Sequence, residues 1–173
     1  MTVVAVGITK PLLSAWKKAD VTTRRSTPTV AYQRILVPLA EGRDGSYAMA
    51  VACQLAADRH AEVIALRVIE IPAELPLAAH MLEEEAEADR YVSEAQAIGE
   101  LYGVSVARRI VRARAAGEAI VEEAVGAGTE IIVIGAPRKP TASRRSPVFG
   151  KTLDAVLRHA PCRVVVAALP RGT

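Results

Sequence analysis

Five strand-length runs of mostly aliphatic residues alternate with segments of helical periodicity, and few folds accommodate that pattern. The runs cover residues 35–39, 63–69, 104–111, 131–135 and 163–167. Half-exposed strands alternate apolar and polar residues, whereas these runs scarcely do, so the strands are expected to be buried on both faces. Between the first two runs, Ala48, Val51, Ala52, Leu55 and Ala56 recur at i, i+3, i+4, i+7 and i+8, which predicts an amphipathic helix ending near His60. A loop at Ile71, Pro72 and Pro76 precedes a long helix opened by Glu83, Glu84, Glu85 and Glu87, whose Ala88, Tyr91, Ala95, Ile98 and Tyr102 share a face. Those carboxylates suit the positive end of the helix dipole, and Gly103 ends the helix. Further helices are predicted over residues 117–127 and 152–159. Strands separated by helices give a parallel sheet covered on both sides, a doubly wound α/β domain. The fourth run is the most apolar and is expected at the centre of the sheet.

Composition narrows the function. The chain has 173 residues, 51% of them hydrophobic and only 3% aromatic. Small aliphatics suit close helix-on-sheet packing, while single-strand nucleic-acid binding needs stacking platforms that one Trp, one Phe and four Tyr do not provide. The formal net charge of +3 is small, and the basic residues fall in local clusters that read as solvated faces. No nucleic-acid partner is expected. Cys53 and Cys162 lie in apolar segments without metal-ligand spacing, and both are read as reduced core residues of a cytoplasmic protein.

Residues 1–31 have a different character. A short apolar run from Val3 to Ile8 and then Leu12-Leu13 is closed by Lys17-Lys18, and the polar, proline-punctuated stretch from Thr22 to Thr29 reads as a linker. Positive charge after an apolar run matches the cytoplasmic exit of a membrane segment, although about a dozen residues are too few to span a bilayer. The alternative is an arm packed on the domain. The division is therefore an arm over residues 1–31 and a folded domain over residues 32–173.

In an open parallel sheet, ligands bind beyond the carboxyl ends of the strands. The residues leaving strand 1 include Leu39 and Ala40. Those leaving strand 4 include Gly135 and Arg138, in a loop of prolines and basic residues that closes on Gly150, Lys151 and Thr152 at a helix start. Such a glycine offers unpaired backbone N–H groups to a phosphate, and Arg144 and Arg145 add charge-assisted contacts. The Gly-Lys-Thr triplet is not a Walker A loop, since that motif needs a glycine where Arg145 stands. No catalytic constellation emerges: His60, His80 and His159 accompany no nucleophile motif, and no metal-binding motif is present. The acidic run at Glu83–Glu87 reads as a solvated, dipole-complementing face.

Three stretches resemble the universal stress protein family: Arg34-Ile35-Leu36-Val37-Pro38-Leu39, Glu130-Ile131-Ile132-Val133-Ile134-Gly135, and Leu157-Arg158-His159-Ala160-Pro161-Cys162-Arg163-Val164-Val165-Val166. The resemblance implies a Rossmann-like sheet of the adenine nucleotide alpha hydrolase type, in order 3-2-1-4-5. It also implies a homodimer formed through the last strand, around Arg163 and Ala168, and ATP or another adenine nucleotide as ligand. The family's loop has a glycine, two residues, a second glycine, nine residues, then Gly-Ser or Gly-Thr. Gly135 matches the first glycine, Arg138 replaces the second, eleven residues precede Gly150, and Lys151 stands before Thr152 where the hydroxyl belongs. The family's aspartate after strand 1 is Ala40 here, and its nucleotide-contacting valine falls at Val68. The implied function is a non-catalytic stress-response or regulatory module that binds a nucleotide or other phosphorylated ligand weakly. Two alternatives stay open: the cytoplasmic, membrane-surface domain of a transporter (an amino-acid permease or cation antiporter), and a weak ATPase.

Overall fold

The computed structural model describes residues 32–136 and 150–169. The expected arm over residues 1–31 and the loop residues Arg138, Arg144 and Arg145 lie outside the described residues. The elements run β1 (Arg34–Pro38), α1 (Arg43–Ala57), β2 (Glu62–Glu70), α2 (Leu82–Tyr102), β3 (Val106–Ala113), α3 (Ala116–Gly126), β4 (Ile131–Gly135), α4 (Gly150–His159) and β5 (Arg163–Ala167). The strands form one sheet in the order β3-β2-β1-β4-β5, with every neighbouring pair parallel. This is the expected fold. Strand β1 rather than β4 holds the middle position, because β4 lies between β1 and the edge strand β5, although all five β4 residues are buried.

Burial on both faces explains the unbroken apolar runs. Ile35 and Val37 of β1, with Val63 and Ala65 of β2, pack beneath α1 and α2 against Met49, Ala52, Cys53 and Val92. The intervening Leu36, Ile64 and Leu66 point the opposite way, beneath α3 and α4, against Ile120, Ala124, Leu153 and Val156. Side chains alternate along a strand, so each interior strand feeds two cores and every position must be apolar. Fully burying an aliphatic side chain of this size contributes roughly 1.5–3 kcal/mol relative to exposure.

The third strand starts two residues later than its apolar run predicts, at Val106 instead of Val104. The reason lies in the end of α2. Gly103 adopts φ +65, its N–H donates to Glu100 O at 3.1 Å, and Val104 N–H donates to Gly99 O at 2.9 Å. That paired closure commits the Val104 amide to the helix. At the other end, α4 starts at Gly150 itself, earlier than the expected residue 152.

The basic cluster of β3 is paired with helices on both faces of this edge strand. Arg108 donates to Asp89 at 2.7 Å and Arg112 to Glu85 on the α2 side, while Arg109 donates to Glu123 at 2.8 Å on the α3 side. Charge on an edge strand also discourages pairing with another chain. Cys53 is fully buried, whereas Cys162 is only half-buried, and neither forms a disulfide. Among the described residues, no helix is long and apolar enough to cross a membrane.

Candidate functional site

The cleft originates in a difference in strand length. Strand β1 stops at Pro38, paired with Leu66, while β2 continues for four more residues, Arg67, Val68, Ile69 and Glu70, held only by β3. Along β2 the even-numbered residues turn their peptide groups toward β1. Glu62 N–H donates to Gln33 O at 2.8 Å, and Leu66 O accepts from Leu39 N–H at 2.8 Å. Beyond Leu66, the peptide groups of Val68 and Glu70 keep that direction but have no strand alongside. Side chains alternate across the same overhang. Ile69 packs with Ala88 of α2, and the Arg67 guanidinium lies 4.6 Å from the Tyr91 ring centroid, also on α2. Val68 and Glu70 face α3 instead, Val68 against the core beneath it and Glu70 at its first residue.

A cavity of about 570 Å³ opens beside this overhang, at the carboxyl ends of the strands. That volume lies within the range of small-molecule sites, roughly 300–1,000 Å³. Of the residues expected at the site, Leu39, Ala40, Val68, Gly135, Gly150, Lys151 and Thr152 all line it, and Arg138 lies outside the described residues. Two glycines bring the floor together. A Cβ on Gly45 would sit 2.3 Å from Ala40 O, and one on Gly135 would sit 2.7 Å from Asp44 O, so the first turn of α1 rests directly on the ends of β1 and β4.

The first turns of α3 and α4 meet at the cavity. A Cβ on Gly117 would lie 2.6 Å from the Ala155 Cβ and 3.3 Å from Thr152 O. Each helix start carries unpaired amides and partial positive charge. In α3 the preceding Ala115 supplies no capping side chain, and Glu70 Oε1 accepts the Ala116 N–H at 2.7 Å. Helix α4 begins with Gly150 at φ +78, a conformation that favours glycine, with nothing within 4 Å of where its Cβ would be.

Glu41 and Asp44, in the segment leaving strand 1, also line the cavity, as do Arg67, Glu70, Glu84 and Glu87, which sequence reasoning did not assign to it. Arg67 is the most constrained: its side chain is 15% exposed, Nη1 donates to Leu39 O at 2.9 Å, and Nη2 lies 3.5 Å from Glu41 and 3.8 Å from Glu87. A lone cation inside an aliphatic strand was the available signal. Glu84 and Glu87, read as solvated, face the cavity mouth from α2. None of His60, His80 and His159 lines the cavity. Among the described residues there is no group of three or more His, Cys, Asp or Glu side chains able to hold a metal ion.

The sequence of residues 31–168 matches the profile of the universal stress protein family. The chain belongs to that family. Among solved structures, a universal stress family protein from Burkholderia pseudomallei is 26% identical with a TM-score of 0.60, covering 83% of this chain and 100% of that one. A universal stress protein solved in complex with cAMP is 19% identical with a TM-score of 0.64, covering 80% of this chain and 98% of that one. The universal stress protein from Archaeoglobus fulgidus in complex with dAMP is 19% identical with a TM-score of 0.62, covering 78% and 97% respectively. No curated protein matches this universal stress protein sequence.

Proposed function

We propose that this universal stress protein is a non-catalytic regulatory module that binds an adenine nucleotide, or another phosphorylated ligand, in the cleft between Ala40 and Gly150. The observation that carries this reading is the cavity itself. Its lining includes Val68, whose peptide groups lie beyond the end of β1 as an adjacent donor and acceptor suited to the edge of a base, and Gly150, Lys151 and Thr152 at the start of α4, where helix amides suit a phosphate. The cAMP and dAMP complexes of structurally similar proteins support it. Isothermal titration of the full chain with AMP, cAMP, ADP and ATP tests it. Binding that weakens on Gly150→Val is expected, because the side chain strains φ +78 at the helix start. No heat with any of the four overturns the nucleotide reading.

The same proposal includes a homodimer through β5. This edge strand exposes Val165 and Val166 at 36% and 38%, which supports burial against a second copy. Sedimentation equilibrium gives a dimer on this reading and a monomer for Val166→Asp. A wild-type monomer overturns it. Attachment to a membrane transporter rests on Lys17-Lys18 and the polar linker of the arm, and flotation with anionic vesicles tests that alternative.

A further inference from the structure

We propose that Arg114 is a positioning residue for the cleft: it fastens the far end of β2 and so holds in place the strand edge beside which a base is read. The effect on affinity rests on the nucleotide reading above, whereas the fastening stands on the hydrogen bonds themselves.

Past Leu66, β2 runs on through Arg67, Val68, Ile69 and Glu70, paired with Ile110 to Ala113 of β3 and no longer with β1. Over these residues the sheet is reduced to a two-stranded parallel ribbon. Two strands alone are marginal in water, and parallel pairing is the weaker kind. The ladder is carried by the odd-numbered residues of β2, which turn their peptide groups to β3. Val63 and Ile71 show the direction, donating to Ser105 O at 3.1 Å and Ala113 O at 2.8 Å. Val68 therefore keeps its place in the cavity wall only while the bonds on either side of it hold.

Beyond Glu70 and Ala113 both chains leave the sheet, and Arg114 is the first residue past β3. Its guanidinium gathers three carbonyls of the β2–α2 connection. Nη1 donates to Ile71 O at 3.1 Å and to Pro72 O, and Nη2 donates to Leu75 O at 2.7 Å. A turn closed by Leu75 N–H on Pro72 O at 3.1 Å brings the third carbonyl within reach. Glu70 ties the same two chains from the other side, accepting the Ala116 N–H at 2.7 Å. A planar fork suits carbonyls set apart in this way better than a compact ammonium does. The ribbon is thus secured at its end, where strands fray first.

The test uses the full chain and its Arg114→Met and Arg114→Lys variants, with a thermal melt to establish that each is folded. Native-state hydrogen exchange is followed at the amides of Arg67 and Ile69, with Leu36 and Ile132 of the paired strands β1 and β4 as internal references. Arg114→Met is expected to speed exchange at Arg67 and Ile69 about tenfold relative to those references. Adenosine and AMP are expected to lose affinity by the same factor, roughly three- to tenfold, because the edge serves the base and not the phosphate. Arg114→Lys is expected to behave more like methionine than arginine. Wild-type exchange rates in Arg114→Met, or full recovery by lysine, overturn the fastening. Faster exchange with unchanged affinities, or a loss confined to AMP, overturns the positioning role. Absence of binding of adenosine and AMP to wild type overturns the nucleotide reading and the positioning role with it, while the exchange rates still decide the fastening.

Discussion

Gly135 and Asp44 are in contact across the floor of the cleft: a Cβ at position 135 would lie 2.7 Å from the Asp44 carbonyl oxygen and 3.5 Å from its Cβ. The obstacle is helix backbone, which cannot swing aside as a flexible side chain does. Gly135→Ala is therefore expected to lift the first turn of α1 from the end of β4, at a cost of about 1–3 kcal/mol in urea unfolding. A variant as stable as wild type would show that the floor yields freely.

Arg67 links three elements, donating to the Leu39 carbonyl, flanking Tyr91 and standing between Glu41 and Glu87. Arg67→Met leaves that carbonyl without its donor and the two carboxylates without their cation, and a loss of about 1–3 kcal/mol is expected. Arg67→Lys is expected to recover little of it, because a compact ammonium does not spread over the ring while reaching the carbonyl. Chemical denaturation of the three proteins distinguishes these outcomes, and full recovery by lysine would reduce Arg67 to a simple charge.

Glu130 fastens the start of β1 to the start of β4 by accepting the backbone N–H groups of Arg34 at 2.8 Å and Gln33 at 3.0 Å. These bonds, Arg34's first, hold its carboxyl below the ordinary glutamate value. The unfolded chain thus takes up this proton at a higher pH than the folded one. The contribution is fully present above about pH 4.5 and is lost as pH falls through the folded value. Glu130→Gln is expected to show a shallower fall in stability than wild type on acidification from pH 6 to about pH 3, followed by urea midpoints. Identical slopes would remove Glu130 from the acid response.

Burial pushes the Cys53 thiol up to about 11, and it also raises that of the half-buried Cys162. Because the thiolate is the reactive form, an aromatic disulfide reagent at about pH 8 is expected to label Cys162 first. Cys53 should follow only at the rate of unfolding. Equal labelling rates in the native protein would contradict a closed core around Met49 and Ala52.

The buried parallel sheet was legible because interior strands feeding two cores admit no polar positions, a constraint written directly into Ile35-Leu36-Val37 and Ile131-Ile132-Val133. The strand order came instead from the family resemblance, and apolarity alone put β4 where β1 stands. Gly135, Gly150, Lys151 and Thr152 could be found because ligand clefts follow strand ends. The start of β3 was misplaced because Val104 is apolar whether its amide serves a strand or closes a helix. Arg67 and Glu70 were missed for a different reason. Their positions depend on β2 outrunning β1, a relation between two elements that neither segment's periodicity contains. Glu84 and Glu87 looked solvated because helical spacing alone does not show that the first turn of α2 overlooks a cavity.

The end of β1 at Pro38 carries a consequence for how such clefts diverge. On the nucleotide reading proposed above, a base seated beside Val68 would take the place of the missing rung of the sheet, reading peptide groups that any residue at that position would present. Substitution at 68 can then proceed while the edge it offers stays the same. Lengthening β1 by two residues, in contrast, would fill the gap with protein by drawing Leu39 and Ala40, which line the cavity, into the sheet. On that reading, the length of β1 decides the site together with the identities of its lining residues.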